Sequence, residues 1–271
     1  MLNPPGSRTA TGRTGARRLV LLLLLALGAA LVFAGLRDRE NPVYPGVQIE
    51  SKKTSLLEPG VICSAGIPVV LSPSSSGSLG FITASHCTDP SGAGNNVYQP
   101  YWSLGGDNNW AGWSIDRGTD DAYTEPNKNV PDAAVWVVAN RGVSGKAPLS
   151  YCGLQDSTFS SVVAFNSTTV DLKDIFKIGR TTYCTGTWSS VTLVYDLRFS
   201  GKVYRLPASQ LQAQPGDSGG IVFTIVPCRT TFCDIQAVGI FIGWTGDGSY
   251  ALIQTADYAL SYYGVSLYTG G

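Results

Sequence analysis

Beyond residue 60 the chain is a succession of short β-prone runs separated by clusters of Gly, Ser and Asn, a pattern that confines it to sandwiches or barrels. The runs are Val61 to Leu71, Gly80 to Ala84, Ala133 to Ala139, Ser161 to Phe165, Val191 to Tyr195, Ile221 to Val226 and Ala237 to Gly243. Glycine makes up 32 of the 271 residues, about 12%, where about 7% is usual. Its freedom to take positive φ suits tight turns between strands. One segment breaks the pattern: Thr255 to Tyr263 carries apolar residues at helical intervals, and Gly264 follows as a stop. The expected class is all-β with a short C-terminal helix.

The N-terminus is of another kind. From Leu19 to Leu36 the chain is apolar or small throughout, and Arg8, Arg13, Arg17 and Arg18 precede it without an acid among them. Eighteen residues is the lower edge of a membrane-spanning helix and exceeds the usual core of a signal peptide. A signal anchor over residues 19–36 is therefore expected, behind a basic cytoplasmic segment 1–18. A cleaved signal peptide ending near Ala34 is the alternative. Both place the rest of the chain outside the cytoplasm, on the cell surface or secreted. Six cysteines without a CxxC pair agree, because disulfides persist in oxidising compartments. Residues 37–59 hold Pro42, Pro45 and Pro59 and show no clear periodicity, so they read as a tether or short pro-segment. The folded domain is then expected over 60–271, with halves at about 60–145 and 146–271.

Nineteen basic residues balance nineteen acidic ones, so the chain lacks the basic footprint of a nucleic-acid binder. The neutrality is an average: residues 1–40 hold six Arg against Asp38 and Glu40, or +4, which leaves −4 for the remainder. The chain has a single histidine, His86, so a multi-histidine metal site is excluded. No metal and no cofactor are expected.

Two motifs carry chemistry. Gly216-Asp217-Ser218-Gly219-Gly220 can fold tightly enough to aim two N–H groups and the Ser218 hydroxyl at one carbonyl. Thr83-Ala84-Ser85-His86-Cys87 ends an apolar run on the lone imidazole, a candidate general base for Ser218. A Gly-rich turn and a satisfied core histidine are the chemistry-free readings of the same residues. Taken together the motifs resemble the TAxHC and GDSGG signatures of chymotrypsin-fold serine peptidases. Lys177-Ile178-Gly179-Arg180-Thr181-Thr182 with Thr185-Gly186-Thr187, and the ending Tyr258 to Tyr268, are similar to the streptogrisin and alpha-lytic protease branch. The resemblance covers about residues 60–268 and is weakest between 88 and 160.

The resemblance implies two packed six-stranded antiparallel barrels and a Ser-His-Asp triad. An orienting carboxylate is expected between His86 and Ser218; Asp89, Asp107, Asp116, Asp120, Asp121 and Asp132 are available, and Asp132, before Ala133 to Val138, suits the family pattern. The amides of Gly216 and Ser218 are the implied oxyanion donors. By the same resemblance Cys63 bridges Cys87. Cys228 and Cys233 enclose four residues and read as a loop staple, which leaves Cys152 with Cys184. The branch has a cysteine where this chain has Phe176, so that third loop departs from the pattern. A basic side chain beside the GRTT stretch holds the aspartate before the serine in that branch, implying a Lys177–Asp217 pair. The residue six before the serine maps to Gln212, which offers no charge for Arg or Lys. Ala213 and Ile242-Gly243-Trp244 are the candidate pocket walls, and the one histidine leaves none for glutamate recognition.

The expectation is an exported or membrane-tethered serine endopeptidase, a monomer acting on polypeptides through an acyl-enzyme. Its activity should fall on acidification through about pH 6 to 7, where an ordinary imidazole takes up its proton. The alternative is a catalytically silent relative that keeps the fold as a binding module. Asn166-Ser167-Thr168 is a glycosylation pattern or an ordinary polar turn, and Trp102, Trp110 and Trp113 are groove or core aromatics.

Overall fold

Sixteen strands in two eight-membered sheets, with two short helices, carry the described part of the molecule. The computed structural model describes residues 35–52, 60–71, 77–88, 96–101, 109–115, 130–199, 201–226 and 234–270. The first sheet holds β1 (Gln48–Lys52), β2 (Val61–Ser64), β3 (Ile67–Val70), β4 (Leu79–Thr83), β5 (Asn96–Tyr98), β6 (Trp110–Ile115), β7 (Ala134–Val138) and the distant β16 (Ser266–Leu267). Its order is β16-β3-β4-β7-β6-β5-β1-β2. The second holds β8 (Lys146–Ala147), β9 (Ser157–Val162), β10 (Thr169–Gly179), β11 (Tyr183–Tyr195), β12 (Val203–Pro207), β13 (Ile221–Ile225), β14 (Ile235–Trp244) and β15 (Tyr250–Thr255).

In the second sheet the order β13-β10-β11-β12-β15-β14 is closed by pairing of β13 with β14, which makes a six-stranded antiparallel barrel; β9 joins β14 in parallel. The first sheet curls without a pairing between its end strands among the described residues. The all-β expectation therefore holds, and of the two packed six-stranded barrels expected one is closed and the other is an open, curled half-barrel.

The continuous apolar run of β13 follows from burial on both faces. Val222 belongs to the core cluster that includes Val238, Phe241 and Ile253, while Ile221 and Phe223 belong to a larger one shared with Ile67, Phe81 and Trp136 of the first sheet. Alternate side chains of one strand thus join two cores. Phe81 and Trp136 stack at 5.4 Å between ring centroids, both fully buried, and burying a side chain of this size contributes roughly 3 kcal/mol.

The segment expected as a tether is corrected by β1. Gln48–Lys52 pairs with β2 on one side and β5 on the other. Leu36, Val43, Val47 and Ile49 are buried, and Val43 bridges Val143. The physical signal was the alternation of Val47 and Ile49 with Gln48 and Glu50, overshadowed by the prolines on either side. The domain therefore begins by Leu36, not Gly60; residues 53–59 lie outside the described set. The run from Val61 to Leu71 is in turn two strands, because at Gly66 a Cβ would stand 2.3 Å from both Gly219 O and Ile82 O. Only glycine permits that approach of the two halves.

Two helices complete the fold: α1 (Ala208–Leu211) and α2 (Ala256–Tyr263). Gly264 ends α2 in the left-handed conformation at φ 64°, and its amide returns to the last turn. Among the described residues no helix is long and apolar enough to cross a membrane. Most of the expected anchor, Leu19 to Leu36, lies outside them, as do Cys228 and Cys233, Trp102, and the five aspartates weighed against Asp132.

Candidate active site

Strand β4 runs out into a 3-10 turn, Ser85–Cys87, that carries His86 half-buried. The turn is fastened at three points. Cys87 is disulfide-bonded to Cys63 of β2, the amide of Thr88 returns to Ser85 O at 2.9 Å, and Thr83 Oγ1 donates to Ser64 O at 3.0 Å. A second disulfide, Cys152 to Cys184, ties the turn Leu149–Cys152 to the start of β11. Both cysteines nearest His86 are consumed in the first bridge, so their sulfurs are not metal ligands.

Asp132 precedes β7 and is 1% exposed. Its Oδ1 accepts from the Ser85 amide at 3.0 Å and the Ser85 hydroxyl at 2.6 Å, and it lies 3.8 Å from His86 Nδ1. That last distance is longer than a hydrogen bond. Oδ2 is buried and accepts no hydrogen bond among the described residues. The backbone on either side is held from the other half of the molecule. Gln254 Oε1 accepts from the Asp132 amide at 2.9 Å, its Nε2 donates to Gly201 O at 2.7 Å, and the Tyr263 hydroxyl of α2 donates to Ala133 O at 2.6 Å.

Ser218 sits in the turn between α1 and β13. Gly216 and Gly219 take φ of +92° and +79°, the left-handed region that the sharp turn demands. The turn is pressed against the histidine segment: a Cβ on Gly219 would lie 2.1 Å from Thr83 Oγ1 and 3.2 Å from the Ala84 amide. Ser64 locks it further, donating from its amide to Ser218 O and from its hydroxyl to Gly216 O, both at 2.9 Å. The amides of Asp217, Gly219 and Gly220 bond to Gln214, Phe241 and Asp217 carbonyls. Those of Gly216 and Ser218 have no backbone acceptor among the described residues.

Beneath this turn lies a fully buried ion pair, Lys177 Nζ to Asp217 Oδ2 at 3.0 Å. Thr182 bridges the two, its hydroxyl 2.7 Å from Lys177 Nζ and 2.6 Å from Asp217 Oδ2. The amides of Thr181, Thr182 and Gln214 donate to the same carboxylate at 2.8, 3.2 and 2.9 Å. Burial pushes the Asp217 carboxyl up, but the Lys177 ammonium and these hydrogen bonds outweigh it and hold the group below its ordinary range.

Of the candidate pocket residues, Gln212 caps α1 in the left-handed conformation at φ 49° and is exposed, while Ala213 and Trp244 pack against the same core cluster. Gly243 stands at an irregularity where the β14–β15 register jumps between Phe241 and Gly243. The stretch is linked to the serine turn through Gln214, whose carbonyl accepts from the Asp217 amide at 3.0 Å. Trp113 is exposed, Trp110 donates to Asn96, and Asn166 lies exposed between β9 and β10.

Sequence reasoning missed Ser85, Ser64, Thr182, Gln254 and Tyr263. Ser85 was legible as the polar neighbour of the lone histidine. Gln254 and Tyr263 had no local signal, since each acts across more than 120 positions.

An open β half against a closed barrel, with the histidine and serine turns meeting between them, defines the fold of chymotrypsin-like serine proteases. Nocardiopsis protease (NAPase) matches at TM-score 0.51 and 21% identity, over 84% of this chain and 99% of that one. A glutamic acid specific serine protease, described as using a histidine triad in substrate binding, matches at 0.53 and 24%, over 83% and 100%. Alpha-lytic protease homolog N4 matches at 0.51 and 16%, over 83% and 99%. No protein-family model and no curated protein matches the sequence.

Proposed function

We propose that this chain is a serine endopeptidase, exported or membrane-tethered, that hydrolyses peptide bonds as a monomer. Ser218 Oγ attacks the peptide carbonyl and His86 takes its proton, returning it to the leaving amine. Asp132 orients the imidazole and offsets the charge it gains. The Gly216 and Ser218 amides receive the oxyanion; losing one such donor typically costs about 3 kcal/mol. The observation that carries the reading is the junction of the two turns: Gly219 lies against Thr83 and Ala84, and Asp132 is bonded to Ser85 beside His86.

Gln212 brings no negative charge, so cleavage after Arg or Lys is not expected, and a neutral side chain is preferred. The histidine triad described for the glutamic acid specific protease has no counterpart here, because His86 is the one histidine and is assigned as base. Export is supported by the disulfides Cys63–Cys87 and Cys152–Cys184, which a reducing cytosol would not sustain.

Labelling of the purified protein with a fluorophosphonate probe tests the reading. Label on Ser218 that is absent from Ser218→Ala and His86→Ala is the expected outcome. A disulfide-intact protein that takes no label overturns it in favour of the binding module.

A further inference from the structure

The hydroxyl of Ser85 is absorbed by no step of the proposed reaction, yet it is 3% exposed and bonds a buried carboxylate at 2.6 Å. Its own amide donates to the same oxygen at 3.0 Å. Two donors from one residue therefore converge on Asp132 Oδ1, the shorter of them a charge-assisted bond.

We propose that Ser85 is a positioning residue that fixes the Asp132 carboxylate to the turn bearing His86, an inference that rests on the peptidase reading above. A carboxylate held through one oxygen by two donors cannot swing about its terminal torsion. Because both donors belong to the residue next to His86, the separation of carboxylate and imidazole is set within one turn and does not depend on how the two β halves settle. The other end of Asp132 is fixed independently, its amide by Gln254 and the following carbonyl by Tyr263. Oδ2 is left as a buried acceptor that no other described residue occupies, and a buried carboxylate oxygen demands a donor. The imidazole lies beside the carboxylate, with Nδ1 3.8 Å from Oδ1, and is the donor assigned to it when substrate tightens the site. Removing the hydroxyl leaves Oδ1 one donor and frees the carboxylate to rotate, at a geometric cost that lowers the chemical step and spares substrate binding.

The test compares wild type with Ser85→Ala and Ser85→Thr in three readouts: fluorophosphonate labelling rate, kcat against KM on a peptide amide, and the His86 Nδ1 proton resonance. Ser85→Ala is expected to lower kcat and labelling about 10- to 100-fold at unchanged KM, and to move the Nδ1 proton upfield. Ser85→Thr, which keeps the hydroxyl, restores rate and resonance. Ser85→Ala that labels at the wild-type rate with an unmoved resonance overturns the role of Ser85 alone. So does a Ser85→Thr protein, folded by its thermal transition, that is as slow as Ser85→Ala, because bulk and not the hydroxyl would then matter. A wild-type protein that never labels rejects the peptidase reading itself.

Discussion

Replacing Lys177 by Met leaves the Asp217 carboxylate fully buried with its cation gone, and the structure bounds the cost from both sides. Breaking a buried pair by removing one partner typically costs about 3 to 5 kcal/mol. Here the carboxylate keeps the Thr182 hydroxyl and the amides of Thr181, Thr182 and Gln214, which argues for the lower end. An upper limit comes from protonation. Neutralising a carboxyl of ordinary value 3.8 at pH 7 costs about 4 kcal/mol, at 1.36 kcal/mol per pH unit. The variant is thus expected to lose about 3 to 4 kcal/mol at pH 7, or roughly 6 to 16 °C in Tm for a domain of this size.

The pH dependence has a definite sign. In the wild type the Asp217 carboxyl is held below its ordinary value, so its stabilisation is present above that value and is lost as pH falls through the lower folded one. In Lys177→Met the folded carboxyl titrates above its ordinary value, and acidification relieves the strain. The gap between the two proteins is therefore widest at neutral pH and narrows toward pH 4. Lys177→Met/Asp217→Asn removes both charges, keeps an acceptor for the Thr181 and Thr182 amides while setting the Asn NH2 against the Gln214 amide, and should recover part of the loss, a coupling that a double-mutant cycle reads directly. Urea denaturation followed by tryptophan fluorescence at pH 7 and pH 5 is the assay. An unchanged midpoint for Lys177→Met, or a gap that does not narrow on acidification, refutes the reasoning.

Asp132→Asn should fold like wild type and lose about 10³- to 10⁴-fold in kcat, checked by steady-state kinetics with Tm as the folding control. Cys63→Ser/Cys87→Ser, which opens a link across 24 positions, should cost about 3.5 kcal/mol in urea unfolding and lower labelling of Ser218 by freeing the His86 turn. Gly219→Ala puts a methyl 2.1 Å from Thr83 Oγ1 at φ +79°; a loss of at least about 2 kcal/mol is expected from strain and overlap, and a wild-type Tm would contradict the close approach of the two turns. Gln254→Leu unties the Asp132 amide and should slow labelling while leaving KM unchanged.

How much of this was legible in the chain follows the range of the interaction. Gly264 as a helix stop and the two glycines flanking Ser218 are local backbone demands, and one residue type answers each. The Lys177–Asp217 pair spans 40 positions, yet each partner sits inside a motif, so family resemblance brought them together. β1 was missed because its Val47 and Ile49 alternation covers too few residues to stand out between prolines. Of the long hairpin of β10 and β11, Val191 to Tyr195 was legible as a run, but its partner on β10 was not, because exposed Asp171 and Lys173 interrupt Val170 and Leu172 there, and Asp171 accepts from the Thr192 hydroxyl at 2.6 Å.

The carboxylate shows where such reading stops. Asp132 was selected for its place ahead of an apolar strand, but nothing near it in the sequence says what holds it. Its amide is held by Gln254 from β15, the next carbonyl by Tyr263 from α2, and its side chain by Ser85 from the turn after β4. Two of these three come from the opposite β half, and none is a residue type that advertises a role, since a buried Gln or Tyr hydroxyl is also what any core uses to satisfy a strand end. Their meaning comes from convergence on one buried carboxylate. The backbone of Asp132 is thus held across the docking of the two halves, whereas its carboxylate is bonded within its own half, by Ser85. Substitutions at Gln254 and Tyr263 should accordingly couple to mutations that loosen the junction at Gly66 and Gly219, while substitution at Ser85 should add to them independently.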